Sequence, residues 1–172
     1  MCRRVLCTPG LLLSLLALPA SAAAQGPEAG VGYSFIRVMD GGSVNMPAGF
    51  IASVANGTGD FSFVGEVGGN YKSAGGVLLQ VYTFQAGPRF TDRNKRGAQP
   101  YVEFQFGAMH LRVLGQSSTK FTIEPAAGLD IPFRTHKKIK ARIGIGVPFI
   151  FASNENLHAL RIHGGFVFTM HR

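Results

Sequence analysis

The sequence predicts an all-β chain, an eight-stranded antiparallel transmembrane up-and-down β-barrel. Three observations predict it. Stretch after stretch alternates with period two, glycine or proline interrupts almost every window that could recur at helical spacing, and the charges of the alternating stretches keep to one parity. With 172 residues, 46% hydrophobic and 15% charged, the chain fits one domain and is too apolar for a disordered polar segment.

The first element is a predicted signal segment, residues 1–24, cleaved after Ala24. Arg3 and Arg4 form its basic start, Leu11 to Leu18 its apolar run, and Ser21-Ala22-Ala23-Ala24 its small-residue exit. That run is shorter than the ~20 residues a spanning helix needs. Cys2 and Cys7 lie before it, on the wrong side for a lipid-modified cysteine at the cut. The mature domain, 25–172, therefore has no cysteine for a disulfide or a thiol nucleophile, and losing Arg3 and Arg4 lowers the net charge of +8 by two.

Three early stretches, roughly 30–37, 47–55 and 77–90, complete the strand set; the first two alternate poorly, and the direction of Arg37 is open. In the third, Tyr82, Phe84 and Phe90 oppose Thr83, Gln85 and Arg89. Phe61, Phe63, Val67 and Tyr71 oppose Ser62, Glu66, Asn70 and Lys72. Val102, Phe104, Phe106 and Ala108 oppose Tyr101, Glu103, Gln105 and Gly107, and Phe121 to Ile131 oppose Thr122, Glu124, Gly128 and Asp130. Ile139 to Phe149 oppose Lys140, Arg142, Gly144 and Gly146; last, Leu160 to Met170 oppose Arg161, His163, Gly165 and Thr169. Turn-rich segments rich in Gly, Asn, Asp and Ser separate them. No repeat or linker marks a second domain.

The composition of the polar parity decides which face is wet. A solvated sheet face would be rich in long flexible polar residues, and glycine would weaken it. Instead Gly87, Gly107, Gly128, Gly144, Gly146 and Gly165 stand among a few large ions, as expected of a narrow interior filled by its own side chains. The predicted lumen charge network is Glu66, Glu103, Glu124 and Asp130 against Arg89, Lys140, Arg142 and Arg161, with His163 added. Four charges of each sign match the pairing that burial demands. Counting from the turns places Asp130 opposite Lys140 and Glu103 diagonal to Arg89. The excess bases, Arg93, Lys95, Arg96, Arg134, Lys137 and Lys138, fall in turns without interleaved aromatics. Nucleic acid is excluded as a partner, because base stacking needs such aromatics.

Two segments, Val81 to Phe90 with its Gly87-Pro88-Arg89, and Pro125 to Pro132 with its Gly128-Leu129-Asp130-Ile131-Pro132, resemble the OmpA and OmpX-like group of small bacterial outer-membrane barrels. The likeness covers most of 30–170. His163, Gly165, Phe168 and Met170 resemble that group's C-terminal assembly signal, although the chain ends Met170-His171-Arg172 rather than in an aromatic. The resemblance implies the outer membrane, with outer-membrane lipids and the β-barrel assembly machinery as partners and a monomer as the state. With both termini periplasmic, outward loops are expected near 38–46, 72–76, 112–119 and 152–159. There Lys72, Arg112 and Lys120 are placed to contact anionic headgroups.

The role expected is structural, in envelope integrity or surface interaction, with a plugged lumen. A soluble exported lipocalin-like barrel with an apolar ligand is the alternative; a lipid acyl hydrolase or transferase is a further one. For the latter, His110, Ser43 and Asp40 are the nearest approach to a nucleophile and base, yet no His-x-Ser pair occurs in the mature chain. No enzyme is expected. Neither is a cofactor or a metal, since the five histidines lack ligand spacing with carboxylates.

Overall fold

The computed structural model describes residues 26–40, 42–94, 97–133, 138–151 and 156–170. The predicted signal segment 1–24 lies outside them, as do Lys95, Arg96, Arg134 and Lys137. Among the described residues there is no helix. Ten strands form one antiparallel sheet: β1 (Glu28–Asp40), β2 (Gly42–Met46), β3 (Ala48–Thr58), β4 (Phe61–Ala74), β5 (Val77–Thr91), β6 (Gln99–Val113), β7 (Gln116–Pro132), β8 (Ile139–Gly146), β9 (Phe149–Phe151) and β10 (Asn156–Thr169). Each pairs with its neighbours in turn, and β1 returns to β10 over Glu28–Met39, which closes the sheet on itself.

Ten segments make eight barrel strands, because proline breaks two of them. At Pro148 a strand loses one donor, and β8 and β9 continue in one register against β10 on either side of the gap. At Pro47 the interruption does more. Tyr33 pairs with Phe50, but Ile36 pairs with Met46, so one extra residue lies between β2 and β3 as a bulge. The inward positions change parity across it: Ile51 and Ala55 are buried on β3, Met46 on β2. Tyr33 covers the bulge by donating its hydroxyl to the Pro47 carbonyl. This slip is why the early stretches alternate poorly in sequence.

The predicted outward loops are a correction. Residues 42–46 are strand, and Asp40 pairs with Gly42; 116–119 are strand as well. The connections described at this end, the rim, at 75–76 and 114–115, are tight hairpins. Gly75 and Gly76 both take positive φ, as a two-residue turn of matching twist demands, and Leu114 (φ 50) with Gly115 repeats the geometry. The opposite end, the base, carries the longer connections between Thr91 and Gln99 and between Pro132 and Ile139.

The wall is apolar outside and polar inside. Phe104, Ile143 and Phe166 are 42%, 55% and 50% exposed, while Glu103, Arg142 and Arg161 are 5%, 8% and 1% exposed. A soluble lipocalin-like barrel requires the reverse. On the outward parity of every strand the ionisable residues other than tyrosine are Arg37, His110, Arg112 and His158, all towards the rim. Arg37 thus faces outward, where its Nη2 donates to Ser43 Oγ at 3.1 Å. Between them lies a continuous band of Phe, Val, Leu and Ile suited to hydrocarbon.

Candidate functional site in the barrel interior

The interior is stacked in two zones. Nearest the rim, inward-facing Met46, Val81, Met109 and Ile150 are buried against one another, with Val38, Val44, Leu79, Leu111 and Leu157 packed around them. A neutral polar layer follows, in which Asn70 Nδ2 donates to the Ser34 carbonyl at 2.8 Å. From there to the base the lumen is ionic.

All nine residues read from the sequence as inward charges, Glu66, Arg89, Glu103, Glu124, Asp130, Lys140, Arg142, Arg161 and His163, are buried inside. Uppermost, Arg161 on β10 gives Nε to Glu124 Oε1 on β7 at 2.8 Å and Nη2 to Glu66 Oε1 on β4 at 2.5 Å. These three strands share no backbone ladder, so the guanidinium ties separate arcs of the wall across the lumen. Arg89 meets Glu103 through Nε at 2.7 Å and Nη2 at 2.6 Å. Arg142 holds Asp130 with two parallel bonds of 2.6 Å. The fork geometry of arginine is met at Asp130, one donor to each oxygen, whereas both Arg89 donors converge on Glu103 Oε2.

Two register expectations need correction. Glu103 stands directly opposite Arg89, not diagonal to it. Asp130 stands opposite Arg142, not Lys140, because the connection after Pro132 is longer than a tight turn and shifts β8 by two residues. Lys140 lies nearer the base, where its Nζ donates to Glu28 Oε1 at 2.8 Å.

Glu28 is a residue the sequence reading missed. It precedes the first stretch recognised there, although its parity with Gly30 and Ser34 was a usable sign. It also draws Arg93, assigned above to a turn, to within 3.5 Å. Five buried carboxylates thus face four buried cations, with Arg93 as a fifth. Tyr101 was missed as well. Its ring lies between the Arg89 and Arg142 guanidiniums, each 5.0 Å from the centroid, and its hydroxyl is 3.0 Å from His163 Nε2.

Glycines make room for these groups. A Cβ on Gly144 would collide with the Tyr101 hydroxyl and the His163 ring, one on Gly128 with Tyr101, and one on Gly146 with Glu124. Gly165, part of the predicted assembly signal with His163, Phe168 and Met170, has a structural duty too: a Cβ there would strike the backbone of Val31 and Gly32. Phe168 and Met170 face outward and are exposed.

The groups nearest to an acyl-transfer set are not brought together. Ser43 on β2 is bonded to Arg37, while His110 on β6 binds Thr119 through Nδ1 at 2.8 Å; β4 and β5 stand between their strands. Among the described residues no group of three His, Cys, Asp or Glu could hold a metal.

Comparison with solved structures places this architecture. Neisserial surface protein A is similar over 87% of this chain and 100% of its own, with a TM-score of 0.74 at 13% identity. This is the fold of the small outer-membrane β-barrels. Ail, the attachment invasion locus protein of Yersinia pestis, solved with the heparin analogue sucrose octasulfate, is 18% identical with a TM-score of 0.56 and matches 84% of this chain and 99% of its own. The N-terminal β-barrel domain of OprF from Pseudomonas aeruginosa matches the same shares at 12% identity, with a TM-score of 0.55. No family model and no curated protein matches the sequence.

Proposed function

We propose that the protein is an occluded outer-membrane barrel that supports envelope integrity and contacts the cell surface environment through its rim, without passing solutes. It is exported by the segment 1–24, assembled by the β-barrel machinery through its last strand, and held as a monomer among outer-membrane lipids. The filled interior carries this reading. The cavity beside Glu66, Arg89, Arg142 and His163 holds only about 20 Å³ of space, room for a water or so. Above it the apolar cluster closes the lumen to ions, and eight strands leave little beyond their own lining. Among the described residues the interior is filled and Ser43 and His110 stand apart at the rim, which points to the outer surfaces for activity.

Fractionation followed by reconstitution tests the reading. The protein should leave the outer-membrane fraction only with detergent, give no stepwise conductance in planar bilayers, and leave lipid acyl-chain composition unchanged when expressed. Recovery in the aqueous periplasmic fraction, ion-sized conductance steps, or an altered acyl-chain profile would each overturn it.

A further inference from the structure

The outward wall is not uniform, and one arc of it combines a groove with a charge. On β3 to β6 the small Gly65 and Ala86, paired across β4 and β5, form the floor of an open groove of about 540 Å³ flanked by Val54, Val67, Phe84 and Phe106. Such grooves in a hydrocarbon-facing surface accept a chain. Towards the rim, on the same parity, Ala108 keeps the β6 wall low before Tyr82 pairs with His110 and Gln80 with Arg112, while the Phe50 ring covers Gly69 beside it. Tyr71 and Tyr82 meet edge to face there, centroids 5.9 Å apart, where amphipathic rings mark a membrane interface.

The charge above the groove has one sign. His110 engages Thr119 through Nδ1, which leaves Nε2 outward, and Arg112 is exposed with no ion pair among the described residues. Lys72 and Lys120 stand on the inward parity at the same end, opposite Leu79 and Met109, and no Asp or Glu occurs in 68–80 or 105–121. Four residues of strand, about 13 Å at ~3.3 Å each, separate Phe106 from His110. That spacing suits an apolar chain below and an anion at the interface.

From this we infer that the β4–β6 wall is a binding site for one phosphorylated glycolipid of the outer leaflet: an acyl chain in the groove, the sugar over Ala108, and a phosphate at His110 and Arg112. The inference deepens the proposed function and rests on its placing the barrel in a bilayer. The outward-facing Arg112 guanidinium, with no ion pair among the described residues and the His110 ring beside it, is the reason for choosing an anionic lipid, and the open groove below is the reason for choosing a lipid over a soluble anion.

The test is lipid retention in phosphatidylcholine nanodiscs doped with diphosphoryl lipid A, dephosphorylated lipid A or phosphatidylglycerol, read by native mass spectrometry. Diphosphoryl lipid A should be retained about fivefold or more over its dephosphorylated form, and Arg112→Gln should remove about fivefold of that preference, the worth of one interfacial cation. His110→Gln with Arg112→Gln should abolish it. Gly65→Phe should lower retention of both lipid A forms equally; at Gly65 a Cβ meets only Val54 Cγ2, at 3.8 Å, so the barrel can accept the change, and heat-modified gel mobility checks it. Lys138→Gln, at the base, should change nothing. Equal retention of the two lipid A forms, indifference to the double variant, equal retention of phosphatidylglycerol, or displacement of lipid A by sucrose octasulfate would each overturn the assignment. Failure of the protein to enter nanodiscs at all would instead strike the membrane reading beneath it.

Discussion

The two halves of the interior, ionic towards the base and apolar towards the rim, are walled by the same closed sheet, yet their order comes from different physics. In the ionic half each charged side chain has an assigned partner: Arg161 holds Glu66 and Glu124, Arg142 holds Asp130, Arg89 holds Glu103, Lys140 holds Glu28. Glycines at 128, 144 and 146 are cut to the shape of those partners. The rim half has no directional bonds to satisfy, only volume to fill with Met46, Val81, Met109 and Ile150. Removing one member should therefore be far more costly in the first half than exchanging one for an equal volume in the second.

The largest expected effect is at Arg161. Arg161→Met leaves two buried carboxylates facing each other without a cation, and should cost about 3 to 5 kcal/mol in urea unfolding from lipid vesicles. Adding Glu66→Gln and Glu124→Gln should recover most of it; a triple variant no better than the single would show that the pairing is not what orders this zone. Next comes Gly144→Ala. A single methyl pressed against Tyr101 and His163 should destabilise by about 1 to 3 kcal/mol, and Tyr101→Phe beneath it should return part of that. The smallest effect belongs to the rim half. Met109→Leu conserves volume and should shift the unfolding midpoint by less than about 1.5 kcal/mol. A loss there as large as at Gly144 would erase the distinction between the halves.

The same contrast governs what the sequence discloses. In the ionic half the two parities differ in kind, Phe104 against Glu103, Ile143 against Arg142, so strand, face and inward charge can be read directly. In the rim half that contrast fails: on β6 the polar His110 and Arg112 face outward and Met109 and Leu111 inward, and on β5 both parities are apolar. Leu78 faces outward and Leu79 inward, and nothing in the residue types tells them apart. The apolar cluster was invisible for that reason. The first strands were obscured differently, by the extra residue at Pro47, which reverses parity within one apparent stretch. Partners across the lumen, such as Lys140 with Glu28, depend on how far β8 slides along β7, and that is fixed by a turn whose length composition does not define.

The seam between first and last strand has its own consequence. Gly32 pairs with Gly165 and lies against the backbone of Gly164, so β1 and β10 approach over a bare stretch of main chain. Strands meeting there lose no side-chain freedom in doing so, and need no interlocking rotamers to be set beforehand. The circle is thus completed where zipping the two edges together demands the least prior order.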